Sequence, residues 1–196
     1  DVVILSDEIY EHICWADSPF ASFAAVCPDL YDRTITVNGM SKGYAMSGWR
    51  LGYAAGPVSV IKAMTSLQSQ STTNASTISQ AAACAALLGD QQCVRDMCAE
   101  FRRRHDLFYA GIRELPGFSC VPASGTFYLF PNVEDAMRRK GAATDIAFCE
   151  QILDATGVAL VPGTAFGAPG HLRFSFAASV ETLTSALARL RVFMAA

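Results

Sequence analysis

The chain alternates between short, wholly apolar runs and longer stretches with helical spacing. Val2–Leu5 is apolar at every position, the pattern of a strand buried on both faces as in parallel sheets. Thr34–Val37 repeats it, and Leu51–Ala55 is a third candidate strand. "GPVSVIKAMTSLQSQ" predicts a helix with Pro57 near its first turn. A polar loop, "STTNAS" (71–76), leads into a helix over "TISQAAACAALL" that stops at Gly89. From Gln92 to Leu115, Val94, Met97, Cys98, Phe101, His105, Phe108, Ile112 and Leu115 recur at threes and fours, predicting one long amphipathic helix closed by Pro116-Gly117. Shorter elements follow. They are a strand at 126–130, a helix at 145–156 capped by Gly157, strands in "VALV" and "HLRFSFA", and a last helix from Val180 to Met194. The change of texture predicts a domain boundary, with one domain over 1–94 and a second over 95–196.

Composition narrows the class. Apolar residues make up 52% and charged residues 17%, against a typical quarter charged, so part of the surface is expected to be covered by a partner or further sequence. A net charge of -3 gives no basic footprint for nucleic acid. The apolar runs are too short to span a bilayer. Seven scattered cysteines, with no C-x-x-C and no His/Cys set at zinc spacing, point to reduced thiols in a cytoplasmic setting and to no metal site. The cysteines, Trp15 and Trp49 read as packing residues, and His12, His105 and His171 as packing or surface groups. "RRRH" reads as a solvated basic edge. Because it opens on a strand-like run without an initiator Met, the chain is expected to be the C-terminal portion of a longer protein.

Four residues suggest chemistry. Asp7 follows the first strand, Tyr10 lies three residues later, Lys42 lies five past Val37, and Arg50 precedes the third candidate strand. In doubly wound sheets ligands bind beyond the carboxyl ends of the strands, which is where Asp7 and Lys42 emerge. A lysine is costly to bury there unless its amine is used. An amine, a carboxylate, a phenol and a phosphate-matching guanidinium together suit pyridoxal phosphate. The lysine would form the Schiff base and the carboxylate would keep the ring nitrogen protonated. At an effective dielectric near 20 that last contact is worth roughly 4 kcal/mol before desolvation. The phenol would bond the ring oxygen, and the arginine would neutralise the phosphate.

"SDEIYEH", "TVNGMSKGYAMSGWRLGYAAGP" and "HLRFSFAAS", in this order, resemble the fold-type I aminotransferases of classes I and II, nearest their aspartate-aminotransferase-like branch. The resemblance covers the whole chain and corresponds to the family's C-terminal half. It implies an α/β fold: the end of a large domain with a mostly parallel sheet and helices, then a smaller α+β domain. By resemblance Asp7 pairs with the pyridine nitrogen, Tyr10 with the ring oxygen, Lys42 carries the cofactor and shuttles the proton, and Arg50 meets the phosphate. Arg173 clamps the substrate carboxylate. Many relatives have Ser where Gly39 stands, so Ser41 is the candidate replacement hydroxyl.

The family's glycine-rich phosphate loop and ring-stacking aromatic lie upstream of residue 1, so the chain alone is expected to be inactive. The implied reaction moves an amino group from an amino acid, with aspartate or glutamate the expected substrate, to a 2-oxo acid. It implies a homodimer, in which loop 70–76 either reaches the neighbour's site or is a plain polar loop. The alternatives are a C–S β-lyase of the same fold, an effector-sensing domain of a transcription regulator, and an inactive fragment.

Overall fold

The computed structural model describes residues 2–196. The chain forms two compact units that divide within one helix, between Cys98 and Ala99.

In the first unit, β1 (Ile4–Asp7) runs parallel to β2 (Thr34–Gly39), with Asp7 opposite Val37. β3 (Gly52–Ala55) returns antiparallel to β2, with Gly52 opposite Gly39. A parallel neighbour usually needs a crossover helix. The connection from Met40 to Leu51 contains only a one-turn 3-10 helix at Ser47–Trp49, so β3 doubles straight back. Within this portion of the sheet one pairing is therefore parallel and the other antiparallel.

The expected buried strand at Val2–Leu5 is corrected in both position and burial. It starts at Ile4, its residues alternate between half-buried and exposed, and Val2 and Leu5 are 71% and 68% exposed. Among the described residues β1 pairs only with β2, so neither its outer edge nor its Leu5 face is covered. Between β1 and β2 lie α1 (Phe23–Val26) and a 3-10 turn over Pro28–Arg33, too short for hydrophobic periodicity to announce. After β3, α2 (Val58–Ser69) starts behind Pro57, and α3 (Thr77–Leu88) ends at Gly89.

α4 (Gln92–Arg113) carries the chain into the second unit. There β4 (Tyr128–Leu129), β6 (Leu172–Ser175) and β5 (Val161–Pro162) form a small antiparallel sheet in the order β4-β6-β5. β4 and β5 are shorter than the patterns predict. Thr126 sits at φ +66°, out of the extended region, and β5 pairs with β6 only at Val161 and Pro162, which leaves residues 158–160 outside the ladder. α5 (Glu134–Arg139), which no pattern announced, precedes α6 (Asp145–Thr156) and α7 (Val180–Ala195).

Local chemistry sets the ends of α6. Thr144 accepts the Ala147 amide at its start, and Gly157, at φ +70°, closes it. The core is aromatic, with Phe118 within 6.4 Å of the rings of both Phe148 and Phe174, and Phe174 next to Phe108. α7 adds Leu183, Leu187 and Leu190. At Gly111 of α4 a Cβ would stand 2.4 Å from Leu187, so a side-chain-free position lets the two helices close.

The cysteines are not core. Cys84 and Cys93 are exposed, the other five are half-buried, and all seven are free thiols. Burial pushes the Cys149 thiol up to about 11, with Asp145 and Glu150 adding to it, which leaves it inert at neutral pH. Trp49 is 44% exposed and so is no core residue either.

Candidate active site

The first unit's topology brings the expected residues to one end of its sheet. Asp7 closes β1, and the tight turn after it carries Tyr10, with the Glu11 amide bonded to the Glu8 carbonyl at 3.0 Å and the Ile13 amide to the Tyr10 carbonyl at 2.9 Å. Ser41 and Lys42 leave the carboxyl end of β2. Because β3 is antiparallel, Arg50 enters the sheet at that same end, where Gly39 faces Gly52. Arg173 lies in the second unit, on β6, opposite Val161.

The loop bearing Lys42 is fixed by its own backbone. The Met40 amide donates to the Leu51 carbonyl at 3.2 Å, the Met46 amide to the Met40 carbonyl at 3.1 Å and the Ala45 amide to the Lys42 carbonyl at 3.1 Å, while the Met40 side chain is fully buried. Ala45 and Arg50 both adopt left-handed backbone, at φ +53° and +51°. Such conformations cost of order 1–3 kcal/mol for non-glycine residues and cluster where function holds them. At Arg50 the turn is locked by its own guanidinium, whose Nη1 donates to the Ser47 carbonyl at 2.8 Å, leaving other N–H groups of an exposed fork for an anion. Asp7 uses one carboxylate oxygen to accept the Ile9 amide at 3.2 Å, which orients it at the strand end.

Several supporting residues escaped the sequence reading. Glu8 is buried, and its Oε1 accepts from Ser6 Oγ, Ser22 Oγ and the Phe23 amide at 2.9–3.0 Å, tying the start of α1 to the end of β1 beside Asp7. Asn38 donates to Glu11 at 2.8 Å and accepts the Gly39 amide at 2.7 Å. That pair links the Tyr10 turn to the strand ahead of Lys42.

Gly43 stands so close to His12 that a Cβ would meet the ring at 2.7 Å, and the His12 and Tyr44 rings meet edge-on at 5.4 Å. Tyr44 donates to Gln91 at 2.9 Å, and Gln91 donates to the Ala86 and Gly89 carbonyls at the end of α3. Burial first, then Glu11 and Cys93, pushes the Tyr44 phenol above its ordinary value, so it remains a proton donor. Only the glycines of "GMSKG" hinted at such close approach.

Arg173 is half-buried, with its guanidinium carbon 4.6 Å from the Tyr128 ring centre and 4.7 Å from that of Phe166. No ion pair among the described residues involves it, leaving its cationic edge for a ligand. Among the described residues no cluster of three or more His, Cys, Asp or Glu is suited to a metal, and no helix is long and apolar enough to cross a membrane.

Comparison with known proteins gives this arrangement a context. Residues 1–190 match the family "aminotransferase class I and II". An aspartate aminotransferase of Geobacillus stearothermophilus is 45% identical, covering all of this chain and 50% of the relative. An aspartate/prephenate aminotransferase of Nitrosomonas europaea is 43% identical over 97% of this chain and 49% of its own length. The crystal structure of the Rhizobium meliloti aspartate aminotransferase superposes with a TM-score of 0.92 at 41% identity, over 97% of this chain and 49% of that one. The chain therefore spans about half the length of these relatives, and its α/β fold is that of the corresponding part of an aspartate aminotransferase. By its family match over nearly its whole length, the chain belongs to the class I and II aminotransferases.

Proposed function

We propose that the protein is a pyridoxal-phosphate-dependent aminotransferase, and that this chain supplies the amine, acid and phosphate-binding side of its site. One observation carries the reading: in a chain of this family, an amine, a carboxylate, a phenol and a left-handed arginine converge on one end of a single sheet. That donor set fits the cofactor group by group, with Lys42 for its aldehyde carbon, Asp7 for its ring nitrogen, Tyr10 for its ring oxygen, and Arg50 and Ser41 for its phosphate. When bound, pyridoxal phosphate supplies an electron sink for the pair of electrons left on a deprotonated α-carbon.

The protein's part is positioning and proton transfer. Asp7 holds the proton on the ring nitrogen, and Tyr10 donates to the ring oxygen. The Lys42 amine moves a proton to and from the substrate α-carbon. Arg50 neutralises the phosphate, with Ser41 donating a further hydrogen bond. Arg173 binds the α-carboxylate through two parallel N–H bonds. The names of the relatives favour aspartate as amino donor and a 2-oxo acid as acceptor. The apolar residues left exposed on α2 and α3 favour a homodimer, and the free thiols favour a cytoplasmic setting.

The test exploits a short list of amines, because the chain has only three lysines, Lys42, Lys62 and Lys140. Pyridoxal phosphate is added to the chain and to the polypeptide extended by its own upstream coding sequence. Both are reduced with borohydride and mapped by mass spectrometry. The expected result is label on Lys42 in the longer polypeptide, with the chain alone labelling there weakly or not at all. Label confined to Lys62 and Lys140 in both would overturn the assignment.

A further inference from the structure

The surroundings of Arg173 are unusual for a half-exposed cation. Two aromatic rings lie against its guanidinium, their centres 4.6 and 4.7 Å from the guanidinium carbon, and no carboxylate lies within ion-pair distance among the described residues. We propose that Tyr128 and Phe166 form an aromatic slot that fixes the plane of the Arg173 guanidinium, making both rings positioning residues for carboxylate binding. The inference rests on the reading that Arg173 receives a substrate carboxylate.

The physical reason lies in the shape of the fork. A guanidinium donates only in its own plane, and a carboxylate is held by two parallel bonds only when the two planes coincide. A free arginine side chain must give up about 2 kcal/mol of rotamer entropy to reach that geometry. Two rings packed against the guanidinium remove much of that freedom beforehand. They also displace water from it while no ion pair among the described residues takes up its charge, which stays available to a ligand.

Each ring is itself held. Tyr128 lies on β4 opposite Ser175, two residues along β6 from Arg173. Phe166 ends the 3-10 turn Gly163–Phe166, and Gly167 at φ +73° stops it. That turn is pinned by the buried carboxylate of Asp145, which accepts from the Thr164 amide and hydroxyl, both at 2.7 Å. Phe130 meets Phe166 edge-on at 5.9 Å and stacks on His171 at 5.2 Å, so the Phe166 ring is itself packed.

The experiment is an NMR titration of the full 196-residue chain with 2-oxoglutarate, following the Arg173 Nε–H resonance, assigned by its loss in Arg173→Lys. In the wild-type chain that resonance should move with added 2-oxoglutarate. Phe166→Leu and Tyr128→Leu should each weaken the titration about three- to tenfold, the loss of one cation–π contact, and Phe166→Tyr should restore it. A purely structural role would lower the melting temperature of the leucine variants but leave the dissociation constant unchanged, and that result would overturn the slot. If the wild-type resonance does not move and Arg173→Lys binds equally well, the carboxylate reading itself fails instead.

Discussion

The two units of the chain use apolar residues to opposite ends. In the second, Phe118, Phe148, Phe174, Leu183, Leu187 and Leu190 are buried against one another, and the antiparallel sheet closes over them. In the first, the buried apolar side chains among the described residues are few: Ile13, Met40, Ala83 and Val94. Val2, Leu5, Val58, Leu67, Ile78 and Leu88 stand open on its sheet and helices, and α2 buries no residue at all. Exposure of so many large apolar side chains marks surface built to be covered. The candidate groups differ in the same way. Those of the first unit are held mainly by backbone bonds and left-handed turns around Lys42, whereas Arg173 is held by rings that a packed aromatic core supports. A site can thus keep its local geometry where its unit lacks a full core, because hydrogen bonds fix a loop that packing does not.

The sharpest way to break that contrast is to empty the second core. Phe148 is fully buried between Phe118 and Phe193, so Phe148→Ala should cost about 3–5 kcal/mol. Both tryptophans, Trp15 and Trp49, lie in the first unit, so their fluorescence reports that unit while far-UV circular dichroism reports both. In urea the dichroism midpoint should fall sharply while the fluorescence midpoint stays put. A matching shift in both would mean that the units unfold as one and that the contrast has no energetic content.

How much of this was legible in the sequence follows from how local each signal is. The end of α3 at Gly89, the apolar stripe of α4 and the Gly157 cap of α6 depend on residues within one or two turns, and they read directly. The same holds for the run of motif residues around Lys42. What failed depends on distant partners. The burial expected for Val2–Leu5 requires neighbours on both faces, which no pattern within the run supplies. β5 is short because only Val161 and Pro162 find partners on β6, and β4 begins only after a left-handed Thr126. Glu8 looked like one more acid until the fold brought Ser22 and the Phe23 amide to it. Tyr128 and Phe166 are 38 positions apart and meet only across Arg173.

A smaller effect sharpens the comparison through pH. Burial alone would raise the Asp145 carboxyl, but hydrogen bonds from Thr164, Ile146 and its own amide outweigh it and hold the group below its ordinary 3.8. A carboxyl depressed in the folded state stabilises fully above its unfolded value, and that stabilisation is lost as pH falls through the folded one. The second unit should therefore weaken below about pH 3.8, with a limb that Asp145→Asn removes. At neutral pH the same substitution should cost about 1.5–3 kcal/mol, the range for hydrogen bonds to a charged group. Thermal melts from pH 2 to 6 would show both effects. A parallel acid limb in the variant would assign the loss to other carboxylates.

The smallest expected effect on stability is the most telling about the first unit. Leu67 on α2 and Leu88 at the end of α3 are 74% and 88% exposed. Replacing either by lysine removes apolar surface that touches little within the chain, and at Leu88 the new charge also complements the negative end of the helix dipole. Urea midpoints should therefore move by less than about 0.5 kcal/mol in equivalent stability. Self-association should change far more, because the substitutions place charges among the apolar residues that the exposure marks for covering. Sedimentation velocity across a concentration series should show the double variant Leu67→Lys, Leu88→Lys less associated than the wild type. If stability falls by more than about 1 kcal/mol instead, these leucines support the unit's own fold. The open face of the first unit would then be part of its core, and the two units would differ in degree rather than in kind.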